Sequence, residues 1–177
     1  MRLFTPSRLV ALLAVAVAGA ALSVALGVAS AGTSHPPKHG CVNGQAQLER
    51  NKANVVAYYE MAFNDKKPEL AVKLYGGNQY IQHNPLAGNG FAAFIAFVNS
   101  FTTSFPDVHV DIRRVIAECD LVVTHAVLTG AAPVYGPFGS KVVDIFRLDA
   151  RGKIVEHWDV LAQQVDPATS QNHNPEV

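Results

Sequence analysis

Polar and apolar positions change period several times along this chain, and each change marks an element. Across residues 45–64 the apolar side chains Val55, Val56, Tyr59, Ala62 and Phe63 recur at helical spacing. Asp65 is placed to cap a second, short helix with Pro68 in its first turn, and Gly76-Gly77 end that helix near Tyr75. Residues 80–84 read as a short strand stopped by Pro85. Phe91, Phe94, Ile95, Val98, Phe101 and Phe105 then trace one stripe of a third helix, which Pro106 terminates. Such a stripe is what a helix packed on a sheet requires, so it reads as core. Beyond it the residues become strand-like, and strands are expected at 108–117, 121–130, 141–149 and 153–163. Glu118-Cys119-Asp120 and residues 149–152 carry turn chemistry, and residues 132–139 form a longer loop. Three helices followed by a run of strands predict an α+β fold, a curved antiparallel sheet covered by three N-terminal helices. A sheet closed over in this way makes a cone whose mouth is a natural ligand pocket.

The ends do not follow this pattern. Arg2 and Arg8 precede a run from Leu9 to Val28 that is almost entirely Ala, Val and Leu, and Ala29-Ser30-Ala31 follows with small residues at the cleavage positions. Residues 1–31 therefore read as a secretory signal peptide cut after Ala31, which places the protein outside the cell or in the periplasm. About 20 apolar residues can also span a bilayer, so a retained anchor is the alternative, and a membrane is an expected partner only in that case. Residues 32–44, rich in Ser, Pro, His and Gly, read as a flexible linker, residues 45–166 as the folded domain, and residues 167–177 as a disordered tail.

Charge excludes one class of partner. Lys and Arg together equal Asp and Glu at 14 each, and loss of Arg2 and Arg8 leaves 12 basic against 14 acidic residues. No basic run is present, so nucleic acid is not an expected partner. The two cysteines, Cys41 and Cys119, lack the CxxC spacing of a zinc or thioredoxin-like site. In an oxidising compartment a single Cys41–Cys119 disulfide is plausible, with two unpaired thiols as the alternative.

The chemistry concentrates in the last hairpin. Residues 142–148 and 154–161 are β-branched and aromatic, yet they carry Asp144, His157 and Asp159. Carboxylates among residues built for burial are costly unless paired, hydrogen-bonded or functional. With a four-residue loop, Leu148 faces Lys153 and Asp144 faces His157, with Asp159 one diagonal step away. Two carboxylates and an imidazole would then share one sheet face, as acid–base chemistry requires. The plainer alternative is a solvated face, or a one-residue slip that separates Asp144 from the other two.

Several stretches taken in order carry a resemblance. They are Tyr80-Ile-Gln-His-Asn-Pro85, Gly90 with Phe94, Ile116-Ala-Glu-Cys-Asp-Leu-Val-Val-Thr-His125, Asp144-Ile-Phe-Arg147 and Gly152-Lys-Ile-Val-Glu-His-Trp-Asp159. Together they resemble the SnoaL-like polyketide cyclase family of the nuclear transport factor 2-like superfamily, over about residues 45–166. The resemblance implies a cone-shaped α+β barrel. It also implies ring closure by intramolecular aldol condensation, with an acidic residue as base and no metal or cofactor. Asp159 matches the position of that base. Asp144 stands where the cyclases tend to carry His, and Cys119 where relatives often have Gly in the turn. The superfamily also holds isomerases, dehydratases, hydrolases and binding proteins, so fold alone does not settle activity.

Asp159 is thus the expected general base, with Asp144 able to share its proton, polarise His157 or stabilise an enolate. His83 is expected near the pocket mouth as a donor to a substrate oxygen, or else as a residue that orders the Asn84-Pro85 turn. Tyr80, Gln82, His157, Phe146 and His125 are the expected substrate contacts, although His125 also reads as a satisfied core histidine. No HxH or HExxH pair supports a metal and no GxSxG elbow supports a serine nucleophile. Ile145, Trp158 and Val160 form an outer apolar face flanked by Arg147 and Glu156, which predicts a homodimer. The expected function is cofactor-free cyclisation, isomerisation or dehydration of a small hydrophobic or carbonyl-containing ligand. The rival is a non-catalytic binding or dimerisation module.

Overall fold

In the first helix Asn51, Val55, Tyr58, Tyr59 and Ala62 fall on one face and are buried, and that face packs on the inner side of the sheet. A computed structural model describes residues 44–177, so the signal segment, most of the linker and Cys41 lie outside the described residues. The helix is not regular to its end. Helix α1 (Gln45–Tyr59) passes into a π-helical turn over Glu60–Asn64, closed by the Asp65 N–H donating to the Glu60 carbonyl at 2.9 Å. Asn64 then acts as a backbone mimic: its amide accepts from Val110 N–H and donates to Val110 O, both at 2.9 Å. Helix α2 (Pro68–Tyr75) begins at Pro68, and Asp65 closes the π turn instead of capping it. Helix α3 (Phe91–Ser104) buries Phe94, Val98 and Thr102.

The sheet has five strands: β1 (Gly76–Gln82), β2 (His109–Glu118), β3 (Leu121–Thr129), β4 (Ser140–Leu148) and β5 (Ile154–Gln163), in the order β1-β5-β4-β3-β2. The last four form an antiparallel meander, as expected. Strand β1 begins before Tyr80 and pairs with β5 in parallel, so the sheet is mixed. Parallel pairing is possible because β1 and β5 are joined through α3 and three further strands rather than a tight turn. A short helix, α4 (Ala132–Tyr135), occupies part of the expected loop.

The β4–β5 register differs from the expected one in an instructive way. Asp149 N–H donates to the Lys153 carbonyl at 2.7 Å, and the Asp149 carboxylate accepts the backbone N–H groups of Arg151 and Lys153, both at 2.9 Å. Gly152 takes the left-handed conformation that closes the turn, φ +78°. This tighter closure and a bulge between Arg147 and Leu148 set Asp144 opposite Asp159 and Phe146 opposite His157. The shift from the expected pairing is two residues, so every side chain keeps its face.

Glu176 bonds the Lys141 ammonium and accepts the Val165 N–H at 2.8 Å, which folds the last residues back on the sheet end. Cys119 has φ +55°, the left-handed turn conformation that glycine adopts without strain. Among the described residues no helix is long and apolar enough to cross a membrane.

Candidate active site

Between the inner face of the sheet and the helices lies a cavity of about 150 Å³. Aromatic side chains make its walls, among them Tyr59 from the end of α1, Phe63 from the π turn, Tyr80 from β1, Phe94 and Phe97 from α3, and Tyr135 from α4. The π turn follows Tyr59 directly, and the wider turn re-aims the helix face that borders the cavity. At the polar end stand Asp144, His157 and Asp159, brought together by the β4–β5 register, with Gln82 and Asn84 from β1 and the loop after it.

Asp144 is 2 % exposed and fully partnered. The Tyr59 hydroxyl donates to its Oδ1 at 2.8 Å and the Thr124 hydroxyl to its Oδ2 at 3.0 Å. His157 Nε2 lies 3.2 Å from the same Oδ1. The other ring nitrogen, Nδ1, sits 3.1 Å from Gln82 Oε1. That oxygen also accepts the Asn84 backbone N–H at 2.9 Å, which fixes it as an acceptor and requires Nδ1 to carry a proton. Nε2 faces the Asp144 carboxylate and lies 3.4 Å from the Tyr59 hydroxyl, so the three groups form one hydrogen-bonded cluster.

Asp159 is half-buried on the cavity wall. Its Oδ2 accepts from Asn84 Nδ2 at 2.8 Å, and Asn84 Oδ1 accepts the Leu86 N–H at 2.8 Å, which leaves the amide one orientation. Asn84 therefore orients Asp159. Burial, and then the Asp144 charge, push the Tyr59 hydroxyl well above its ordinary value. Burial, followed by Asp144 and Asp159, does the same to Tyr80, which keeps its proton and remains a donor. Burial and then Asp159 raise Tyr135.

Tyr80 and Gln82 line the cavity where strand parity put them. Phe146 does not line it: 1 % exposed, it lies beneath and packs against the His157 ring at 4.8 Å between centroids. His83 is not in the cavity. Because Tyr80 and Gln82 face inward, His83 faces outward, stacked on Trp158 at 4.6 Å with Nε2 2.8 Å from Glu156 Oε1. His125 also faces away. Val122, Thr124, Ala126 and Leu128 are the buried set on β3, so His125 turns to the outer side, 3.1 Å from Arg114 Nη1. The same alternation identifies Thr124 as the inward residue, a signal present in the sequence and not used. Tyr59 had a helical signal that pointed only to core. Asn84 had none beyond its turn chemistry.

Nε2 of His157 and a carboxylate oxygen from each aspartate lie within 4.8 Å of one another, an arrangement that could hold a metal ion. Motif spacing could not reveal it, because the ligands converge across two strands. The hydrogen bonds present use the same atoms, however: a cation would break the Asp144–His157 contact and compete with the Tyr59 hydroxyl. The donor set as built is therefore suited to holding and moving protons.

Sequence comparison assigns this arrangement to a family. The SnoaL-like domain profile matches residues 55–157, more than half of the chain and the span that carries Tyr59, Asn84, Asp144 and His157. No curated protein matches the chain. Among solved structures it is similar to a candidate SnoaL-like polyketide cyclase from Jannaschia sp. CCS1, with 24% identity over 67% of this chain and 90% of that one, TM-score 0.54. A candidate polyketide cyclase from Bacillus cereus gives 17% identity, 67% and 78% coverage and a TM-score of 0.57. TsrD from Streptomyces laurentii gives 18%, 67% and 90%, and 0.53. Identities this low carry the fold alone, and it is the nuclear transport factor 2-like α+β fold. By its sequence match and its architecture, this chain belongs to the SnoaL-like domain family.

Proposed function

We propose that the cavity binds a small aromatic or alicyclic carbonyl compound and that Asp159 removes a proton from the carbon next to the carbonyl, without a cofactor. The observation that carries this reading is the position of Asp159: a carboxylate on the wall of an aromatic cavity, held by Asn84 and next to a hydrogen-bonded Asp144–His157 pair. The Asp159 carboxylate takes the proton, the C–H electron pair moves onto the carbonyl oxygen, and the enolate oxygen is met by a donor. Tyr80 is such a donor, since it lines the cavity and keeps its hydroxyl proton. Reprotonation at another carbon gives isomerisation; attack on a second carbonyl gives aldol cyclisation; loss of a β-hydroxyl gives dehydration. SnoaL-like relatives described as cyclases and an isomerase fit this class of step.

The test is solvent deuterium incorporation into β-tetralone, a bicyclic ketone with acidic α-hydrogens. Exchange above the buffer rate supports the reading, and binding of the ketone without exchange overturns it. That second outcome would favour a non-catalytic binding module, for which the full hydrogen bonding of Asp144 already gives a structural reason.

We further propose that the protein is exported, is cleaved after Ala31 and carries a Cys41–Cys119 disulfide. The basis is the n-region, the apolar run and the two cysteines of the sequence. The mass of the unreduced secreted chain decides both points, and an N-terminus at Met1 or two alkylatable thiols would contradict them.

A further inference from the structure

We infer that the cavity selects its ligand by charge: it admits neutral and cationic bicyclic ligands and rejects carboxylates, with Asp159 as the discriminating group. This rests on the reading that the cavity is the ligand site, and it adds a substrate class to that reading.

Among the described residues that line the cavity there is no lysine and no arginine; the ionisable groups other than tyrosines are Asp144, His157 and Asp159. Asp144 is engaged by the Tyr59 and Thr124 hydroxyls and by His157, whereas Asp159 has the uncharged amide of Asn84 as its partner. The walls therefore present two carboxyl groups against one imidazole and no lysine or arginine, with Asp159 the carboxylate least compensated by its hydrogen bonds. The cations nearest in sequence are engaged elsewhere: Arg147 pairs with Glu156 and Asp120, Lys141 with Glu176 and Arg151 with Asp149, and Lys153 bonds the Leu74 carbonyl.

Tyrosine hydroxyls sense the same field. Burial, then Asp144 and then Asp159 push Tyr80 up, and burial and then Asp159 push Tyr135 up. A ligand carboxylate would meet the same penalty as a tyrosinate and would find no cationic partner. An ammonium group would instead meet a carboxylate in a cavity walled by aromatic side chains, Tyr80, Phe97 and Tyr135 among them. A ketone carries no charge penalty and can take the Tyr80 hydrogen bond. The negative wall also fits the proposed proton abstraction, since a substrate already anionic would resist becoming a dianion beside Asp159.

Three ligands on one skeleton test this: β-tetralone, β-aminotetralin and tetralin β-carboxylate, measured by calorimetry on the folded chain at neutral pH and low salt. The amine is expected to bind at least about tenfold more tightly than the ketone, and the carboxylate at least ~100-fold more weakly than the amine. In Asp159→Asn the amine's advantage should vanish and the carboxylate should recover by about tenfold or more. Carboxylate binding equal to or tighter than the ketone would overturn the inference, as would failure of both ketone and amine to bind. Should Asp159→Asn fail to fold, the order on the unmodified protein decides. Correct ordering with no deuterium exchange would sink the proposed chemistry and leave charge selection standing, so the two failures are separable.

Discussion

Thr124 and Tyr59 each give a hydroxyl proton to one oxygen of Asp144, a carboxylate that is 2 % exposed. Removing one partner of a buried charge leaves its desolvation uncompensated, which costs about 1–3 kcal/mol. Thr124→Val keeps the shape and deletes the donor, so it should lower the unfolding free energy by an amount in that range, read as a lower urea midpoint with little change in slope. Unchanged stability would mean that Asp144 does not depend on that bond. At this scale the sequence was only half legible. Asp144, His157 and Asp159 could be placed on one face because strand alternation is strict. Their partners could not, because Tyr59, Gln82 and Asn84 arrive from elements far away in sequence, and hydrogen-bond partners across such separations leave no local pattern. His83 shows the opposite failure: parity with Tyr80 and Gln82 already excluded it from the cavity.

Elements were legible wherever a period was sustained. The Phe stripe of α3 and the alternation in β3 to β5 survive in the structure almost unchanged. What a period does not encode is pairing direction and turn closure, and there the expectations failed: β1 runs parallel to β5, and the β4–β5 register moved by two residues. The cause of the second is Asp149. Burial alone would raise its carboxyl, but the N–H of Lys153, the Arg151 guanidinium and the Arg151 N–H together hold it below the ordinary carboxylate value. A group depressed in the folded state contributes stability that is present above its unfolded value and lost as pH falls through the folded one. Asp149→Ala should therefore cost about 1 kcal/mol at neutral pH, from the lost turn hydrogen bonds. The difference from the unmodified protein should shrink in acid, below the ordinary carboxylate range. Denaturation curves at both pH values check this; a constant difference would remove Asp149 from the account.

For the whole molecule, the outer sheet face is the feature that an isolated chain does not explain. Val143 stands opposite Val160 and Ile145 opposite Trp158, and Val160 is 68% exposed. The Arg147 guanidinium lies 5.6 Å over the Trp158 ring and bonds Glu156 through Nε at 2.8 Å, so the apolar strip has a charged border. We propose that a second copy covers this face. Trp158→Glu would bury an unpaired charge there, and light scattering at micromolar concentration should show a dimer for the unmodified chain and a monomer for the variant. A monomer in both would contradict the proposal. At this scale the α+β architecture was fully legible, from the order of helical and strand periods and from the spaced motifs around Tyr80 and Asp159.

The central claim is that Asp159 is a proton acceptor on a ligand carbon, and one paired measurement tests it most directly. Deuterium incorporation into β-tetralone and the melting temperature are read on the same preparations of the unmodified protein and Asp159→Asn. Because Asn keeps the shape and can still pair with Asn84 but accepts no proton, exchange should fall at least ~100-fold while the melting temperature stays close to that of the unmodified protein. Full exchange in Asp159→Asn, with or without a fall in melting temperature, would contradict it.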